Sequence, residues 1–288
     1  MAEEKPSGIQ LLERKKSRLD GARLSRKNLA GIDLSEARLK EADLRGSNLR
    51  GADFSRAFLN GAQFEKCSGE GASFKEASAV RTNFSKAKLA AADFAGADLT
   101  EASFDQAFAN EARFTGAILR RARLPEVFLV GADLSRTDLL KCDLRGARLN
   151  GALLEGAEMS QSHLSKANFS EARMGEVLLK GSNISGGDFK KADLEQADLE
   201  TCILTRASFR AANLKNTNLR QTNLRGADFD AARLEGAHLE EADLSLAVNL
   251  TPDQVQNARL SRRTKLPGYL RIRWSSDTDF EVVPVQEA

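Results

Sequence analysis

A period of five residues runs through most of this chain and limits the folds that it can adopt. From Leu19 to Leu244, every fifth residue is large and apolar, except at Gly69, Ala79 and Ala109. The phase never slips over the 46 units. An α-helix repeats about every 3.6 residues and a strand about every two, so neither plain element fits this pattern. An unbroken tandem repeat instead predicts one elongated domain in which each unit packs against its neighbours.

Most units also carry a small residue, usually Ala, two positions before the apolar centre. Ala42-Asp43-Leu44 and Ala167-Asn168-Phe169 show the pattern, in which Asp, Asn, Arg or Ser commonly precedes the centre. This A-D/N-L-x-x array, over residues 19–244, resembles the pentapeptide-repeat family. The resemblance implies an all-β fold, a right-handed, four-sided β-helix (a β-solenoid) with the centre and the small residue inside. Four units would make one coil of 20 residues, and 46 units would make 11 to 12 coils.

Counting the centres in fours predicts what lies on each inner face. Two sets of phenylalanines fall on opposite faces, while the small centres Gly69, Ala79 and Ala109 fall on the two faces between. We therefore expect stacked aromatic ladders whose bulk is compensated by small neighbours. The two sets are Phe54, Phe74, Phe94 and Phe114, and Phe64, Phe84 and Phe104. A third set shares one face further along the chain and comprises Phe169, Phe189, Phe209 and Phe229. Glycine often follows the centre by two positions, as at Gly46, which predicts a corner with unusual backbone angles.

The three cysteines, Cys67, Cys142 and Cys202, all occupy the small-residue position. Cys142 and Cys202 lie three coils apart, which is about 14 Å at the spacing of stacked strands and too far for a disulfide. We expect all three to be reduced packing residues, as suits a reducing compartment.

The segments outside the repeat are expected to cap the solenoid, because an open solenoid exposes sheet edges. The sequence divides into an N-terminal cap at residues 1–18, the solenoid at 19–249 and a C-terminal cap at 250–288. Ser7 and Gln10 have capping-box spacing and predict a short helix over Gly8–Lys16. Its basic cluster is expected to be a solvated face, with a nucleic-acid or anionic-surface contact as the alternative. The cluster comprises Arg14, Lys15, Lys16 and Arg18.

The C-terminal cap is predicted to contain a helix and a hairpin. Thr251 as N-cap, with Pro252 and Gln254 after it, predicts a helix that seals the last coil. The stretches 269–274 and 280–282 alternate apolar and polar residues and predict a β-hairpin, followed by a loose tail from Pro284 to Ala288. One side of the hairpin would either pack on the solenoid or contact a partner or a second copy of the chain. That side carries Leu270, Ile272 and Trp274.

Apolar residues at outward positions mark the expected binding surfaces. Phe108 and Phe128 lie one coil apart on one face, with Val130 beside them, and aligned apolar groups on such a surface suggest a partner contact. A local bulge near Pro125 is the alternative explanation. A second set lies along a neighbouring face and comprises Phe58, Val80, Ile118, Leu140 and Leu178.

Composition argues against several classes of function. Lys plus Arg number 43 and Asp plus Glu 41, so the net charge of +2 gives no strong field, and nucleic-acid binding is not expected. His163 and His238 lie outward and almost four coils apart, so they cannot share a metal. No catalytic motif is present, and we expect no enzyme activity, cofactor or metal. The absence of a signal peptide or membrane span suggests a cytoplasmic protein, with leaderless export as the alternative.

Three non-enzymatic functions remain open. The first is a scaffold or adaptor that binds a protein along a face or at the C-terminal cap. The second is a DNA-mimicking regulator of a topoisomerase such as gyrase, which some members of the family resemble. Those members are acidic and dimerise through a C-terminal module, whereas residues 19–250 here are near neutral. The third is an effector or accessory protein of a secretion system.

Overall fold

The computed structural model describes residues 8–276 and 279–285. The chain forms two compact units, Met1–Asp138 and Leu139–Ala288. The first unit begins with helix α1 (Gly8–Arg14) and a short 3₁₀ helix (Lys16–Arg18). The second ends with helix α2 (Pro252–Gln256) and strands β1 (Leu270–Trp274) and β2 (Phe280–Pro284). None of the helices in these described ranges is long and apolar enough to cross a membrane.

Residues twenty positions apart pair in parallel within each unit, and this pairing defines the coil. In the first unit Asp43 bridges to Gln63, and in the second Asn168 bridges to Asp188. The Leu44 N–H donates to the Gln63 carbonyl at 2.8 Å, and the Asp43 N–H donates back to the Ala22 carbonyl at 2.9 Å. Each five-residue unit thus supplies one short bridge on one face. The predicted β-solenoid architecture is confirmed.

The centre of every unit is buried, and from Ile32 onwards so is the residue two positions before it, as predicted, whereas Ala22 is half-buried and Lys27 is exposed. In the first unit the Phe54 and Phe74 rings stack with centroids 5.1 Å apart, and Phe64 meets them edge-on at 5.4 and 5.5 Å. The ladder from Phe169 to Phe229 in the second unit stacks at 5.0 to 5.3 Å. A Cβ on Gly69 would lie 3.2 Å from the Leu89 side chain. Small centres therefore sit where neighbouring side chains already fill the core.

Polar residues at the small inward position form hydrogen bonds inside the core. The buried Thr82 hydroxyl donates to the Leu59 carbonyl at 2.8 Å, and the Ser182 hydroxyl donates to the Met159 carbonyl at 2.9 Å. The Cys202 thiol makes the equivalent contact to the Leu179 carbonyl at 2.9 Å. All three cysteines are buried thiols rather than halves of a disulfide, as predicted. Burial raises the pKa of the Cys67 and Cys202 thiols to about 12.

The corner residue, two positions after each centre, has a left-handed backbone conformation. Gly46 has a φ of 65° and Glu36 a φ of 59°. The predicted need for unusual backbone angles is therefore confirmed, although the corner also accepts residues with side chains. The corner N–H takes part in the ladder, since Glu36 N–H donates to the Ser55 carbonyl at 2.8 Å. That bond offsets part of the cost of a left-handed conformation.

The N-terminal cap differs slightly from the prediction. Helix α1 ends at Arg14 rather than Lys16, and the chain continues as the 3₁₀ helix. Ser7, the predicted cap residue, lies outside the described residues. From the basic cluster, the Lys16 ammonium group contacts the Asp33 carboxylate at 3.4 Å and the Ser35 hydroxyl at 3.2 Å. At least one member of the cluster therefore holds the cap on the first coils.

The C-terminal helix has the predicted capping box. The Gln254 N–H donates to the Thr251 hydroxyl at 3.3 Å, and the Thr251 N–H donates to Gln254 Oε1 at 2.7 Å. Gln254 Nε2 also donates to the carbonyls of Phe229 at 2.9 Å and Ala232 at 2.8 Å. One side chain thus caps the helix and joins it to the end of the solenoid.

The last coil is completed by residues that the five-residue period does not include. Arg259 bridges to His238 and Lys265 bridges to Asp243. Ala258 and Thr264 are buried, and the Thr264 hydroxyl donates to the Leu239 carbonyl at 2.9 Å, as the small inward residues do elsewhere. The triplets 258–260 and 264–266 read Ala-Arg-Leu and Thr-Lys-Leu. They are two further degenerate units, separated from the array by α2.

The hairpin forms as predicted but extends further. β1 and β2 are antiparallel, with Ile272 opposite Val282 and Leu270 opposite Pro284. Pro284 was predicted to begin a loose tail but instead ends β2, and the Val285 N–H donates to the Tyr269 carbonyl at 2.8 Å. Residues 277–278 of the hairpin loop and 286–288 of the tail lie outside the described residues.

Candidate interaction surfaces

The outward position before each centre is shaped mainly by the turn that follows it. In the first unit Asp53 Oδ1 accepts a hydrogen bond from the Ser55 N–H at 2.8 Å, and in the second Asn168 Oδ1 accepts one from the Ser170 N–H at 2.8 Å. An Asp or Asn at this position therefore stabilises the turn two residues on. The recurrence of Asp and Asn along the chain follows from the backbone geometry of the repeat.

Phe108 and Phe128 depart from this polar pattern and lie together on one face of the first unit. Their backbones form a parallel bridge, and their rings stack with centroids 4.7 Å apart and planes 20° apart. Phe108 is 43% exposed and Phe128 is half-buried. Val130, on the same face, is 40% exposed, and its N–H donates to Asn110 Oδ1 at 3.1 Å. We call Phe108, Phe128 and Val130 the Phe108 surface.

Polar and charged residues surround the Phe108 surface. Lys88 lies on the preceding coil and forms a parallel backbone bridge with Phe108. At the preceding corner, Gln106 Nε2 donates to Glu126 Oε2 at 2.9 Å. Pro125 keeps the coil pairing, because its carbonyl accepts the Gln106 N–H at 3.0 Å. The regular spacing at Pro125 does not support the bulge considered as an alternative.

The second predicted set does not form one surface. Phe58 is 54% exposed and Ile118 is 41% exposed. They lie on the same face, but Ser78 and Asp98 separate them, so three coil spacings of about 4.8 Å lie between the two side chains. Val80 is half-buried on this face. Leu140 and Leu178 belong to the second unit, where Leu140 is half-buried and Leu178 is exposed.

The hairpin residues named from the sequence are unequally accessible. Leu270 is 6% exposed, whereas Ile272 and Trp274 are half-buried. The Trp274 ring contacts Phe280 at 5.2 Å, and the Arg262 guanidinium lies over the Trp274 ring at 5.3 Å. The Tyr269 hydroxyl accepts from the Leu250 N–H at 3.1 Å and donates to the Ala247 carbonyl at 3.2 Å. On the side of Leu270 and Trp274, one residue is thus buried and the other already packs against Phe280.

Some exposed apolar residues of the second unit were missed by the sequence analysis. Ile203, Leu246 and Val248 are all exposed. Leu246 occupies a corner with a φ of 70° and closes one end of a groove of about 540 Å³. Basic side chains, including Lys166 and Arg206, line that groove. The positions of Leu246 and Ile203 in the repeat, at a corner and before a centre, were enough to predict their exposure.

The two histidines lie apart in the second unit. His163 is exposed, whereas His238 Nδ1 lies 3.6 Å from the Glu240 carboxylate. Desolvation lowers the pKa of His238, although the Glu240 carboxylate opposes this shift. Among the described residues no group of His, Cys, Asp and Glu is arranged to hold a metal ion.

A family model for pentapeptide repeats matches this chain in overlapping copies over residues 16–200 and 207–245. The chain belongs to the pentapeptide-repeat family. Membership of the family assigns the right-handed turn of its β-helix. A search of the curated proteins finds no match.

Solved structures of pentapeptide-repeat proteins are similar to this family member. HetL, involved in heterocyst differentiation regulation in the cyanobacterium Nostoc, is 25% identical over 81% of this chain and 97% of its own, with a TM-score of 0.35. A thylakoid-lumen protein of Arabidopsis thaliana is 34% identical over 38% of this chain and 63% of its own, with a TM-score of 0.29. QnrB1, a plasmid-mediated fluoroquinolone resistance protein, is 18% identical over 87% of this chain and 90% of its own, with a TM-score of 0.29.

Proposed function

We propose that this pentapeptide-repeat protein is a non-enzymatic scaffold that binds a protein partner on the Phe108 surface. The observation that carries the proposal is the stacked pair of phenyl rings, one exposed and one half-buried, on a face that elsewhere carries mostly polar side chains. Each ring loses contact with water when a partner covers it, and full burial of a phenylalanine is worth roughly 1.5–3 kcal/mol. Two adjacent rings can therefore supply the centre of an interface.

The surroundings of the Phe108 surface support the same function. Lys88, Asn110 and the Gln106–Glu126 pair form a polar rim around an apolar centre. That arrangement is typical of interfaces between proteins. The competing explanation is that the stacked rings only stabilise the coil, since a cross-strand aromatic pair contributes about 0.2–1 kcal/mol.

The proposal can be tested by replacing Phe108 with a photo-crosslinking phenylalanine analogue in living cells. The analogue at Phe58, an isolated and more exposed phenylalanine, is the matched control. We expect one partner to crosslink at position 108 and not at position 58. With that partner purified, Phe108→Ser/Phe128→Ser should weaken binding about 30-fold or more, the effect of losing roughly 2 kcal/mol.

Phe58→Ser should leave the affinity unchanged, and circular dichroism should show that both variants keep the wild-type fold. Unchanged affinity in the Phe108→Ser/Phe128→Ser variant would disprove the proposed surface. Loss of binding in Phe58→Ser instead would move the site to the face of Phe58 and Ile118.

The alternative functions predict different partners. A topoisomerase subunit crosslinked at position 108, with inhibition of supercoiling by the purified protein, would favour the gyrase-regulator hypothesis. A component of a secretion system would favour the effector hypothesis. A crosslink between two copies of the chain would assign the surface to self-association.

A further inference from the structure

The outer edges of β1 and β2 in the C-terminal hairpin differ in their hydrogen bonding. On the outer edge of β2, the Val282 N–H donates to Gln256 Oε1 at 2.9 Å, and Gln256 Nε2 donates to the Phe280 carbonyl at 2.9 Å. The carboxamide of Gln256 therefore satisfies the same backbone groups as a neighbouring strand would. This contact closes the edge of β2.

The outer edge of β1 is open. The Ser275 N–H donates to the Asp279 carbonyl at 2.9 Å, and the Val285 N–H donates to the Tyr269 carbonyl at 2.8 Å. Because antiparallel pairing alternates along a strand, the backbone groups of Ile272 and Trp274 point away from β2. In residues 8–276 and 279–285, no hydrogen bond is formed to the backbone of either residue. An open strand edge is a template for pairing with another chain.

The open edge lies in a basic segment of the chain. Residues 254–276 contain six Lys and Arg residues and no Asp or Glu. Arg271 and Arg273 flank Ile272 and are exposed. Arg273 lies 3.9 Å from Glu281, with both side chains 67% exposed, and a pair of this kind contributes little. These two arginines can therefore interact with carboxylates on an added strand.

We propose that the open edge of β1 binds an extended acidic segment of a partner protein, which adds to the hairpin as a third strand. Backbone hydrogen bonds to Ile272 and Trp274 would provide the pairing, and carboxylates opposite Arg271 and Arg273 would provide the selectivity. This binding mode is separate from the Phe108 surface and rests on the second unit alone.

The charges argue against a second copy of the chain at this edge. If two β1 strands paired antiparallel about Ile272, Arg271 of each would lie opposite Arg273 of the other. Like charges directly opposite each other destabilise a strand pair. The edge is therefore better matched to an acidic strand than to itself.

The test uses the full chain and a fluorescent peptide of alternating threonine and glutamate, with binding followed by polarisation. We expect binding that weakens as salt increases. Arg271→Glu/Arg273→Glu should weaken it by about tenfold or more and create binding to the matching threonine–lysine peptide. The control variant Lys190→Glu/Lys191→Glu reverses two exposed charges elsewhere in the second unit and should bind the glutamate peptide nearly as well as wild type.

Backbone pairing is tested with two N-methylated forms of the same peptide, one methylated on odd amides and one on even amides. One form should lose binding, because only one set of amides faces β1, and the other should retain it. Equal binding by both forms would overturn the strand-addition proposal. Equal loss of affinity in both charge-reversal variants would also overturn it, because the effect would then be a general response to charge.

Discussion

Gln254 Nε2 donates a hydrogen bond of 2.9 Å to the carbonyl oxygen of Phe229, which lies 25 residues earlier in the chain. The same nitrogen donates to the Ala232 carbonyl at 2.8 Å, while Gln254 Oε1 accepts the Thr251 N–H at 2.7 Å. One carboxamide therefore links the start of α2 to backbone carbonyls of the solenoid. The Nε2 donor of Gln254 attaches the cap to the solenoid, and the Oε1 acceptor caps the helix.

Gln254→Glu should lower the free energy of unfolding, because it keeps the acceptor for Thr251 but removes both donors to the solenoid. Because hydrogen bonds to partly buried carbonyls are lost, we expect the free energy of unfolding to fall by about 1–3 kcal/mol. The measurement is urea unfolding followed by circular dichroism, with exposed Gln196→Glu as the control for added charge. A stability equal to that of the Gln196→Glu variant would contradict the proposed role.

Phe84→Ala should destabilise the first unit by about 3–5 kcal/mol, because it leaves a cavity between stacked rings. The Phe84 ring stacks on Phe64 at 5.0 Å and on Phe104 at 4.9 Å. In a repeat fold, the loss of stability at one repeat spreads mainly to the repeats that contact it. Hydrogen exchange should therefore accelerate most in the adjacent coils, whereas exposed Phe58→Ala should produce no comparable change. A uniform acceleration over the whole chain would refute the nearest-neighbour picture.

The thiols of Cys67 and Cys202 should react with a maleimide only after unfolding. Burial raises the pKa of both thiols to about 12, so at pH 8 almost no thiolate is present in the folded protein. Mass spectrometry after brief labelling, with and without urea, measures the difference. Rapid labelling of either cysteine in the native protein would show that its coil opens readily.

The carboxyl of Asp43 should titrate far below its ordinary range. Hydrogen bonds from the Arg45 side chain at 2.9 and 2.8 Å hold the pKa of Asp43 down at about 2. A depressed folded pKa means that this pair stabilises the fold above about pH 4, and that its contribution is lost as the pH falls towards 2.

Arg45→Gln should raise the pKa of Asp43 towards its ordinary value, which NMR titration of the side chain would measure. Arg50→Gln, which removes a guanidinium that contacts Glu70 instead, is the control. An unchanged Asp43 pKa in the Arg45→Gln variant would show that another group sets it.

The repeat made the solenoid predictable from the sequence. Once four units form a coil, the face and depth of every residue follow from its number, so the ladders from Phe54 to Phe114 could be foreseen. The alignment of Phe108 with Phe128 followed in the same way. The separation of Phe58 from Ile118 was implied by the same numbering, because three coils lie between them.

The C-terminal cap was less predictable because its residues do not repeat. The hairpin pattern alone did not show that Leu270 is buried or that Pro284 continues β2. The interactions of Gln256 with β2 depend on how α2 packs, which a local pattern does not specify. The binding role of the Phe108 surface stays a prediction, because exposure of a residue does not identify what covers it.

The cap on the last coil also determines how copies of the protein can assemble. If the C-terminal edge of the last coil were free, the first coil of another copy could pair with it. Repeated head-to-tail addition of this kind would give an open fibre. Here the carbonyls of Phe229, Ala232 and Ala247 already accept bonds from Gln254 and Tyr269. Head-to-tail addition at this terminus would have to break these bonds, so the cap disfavours the growth of such a fibre.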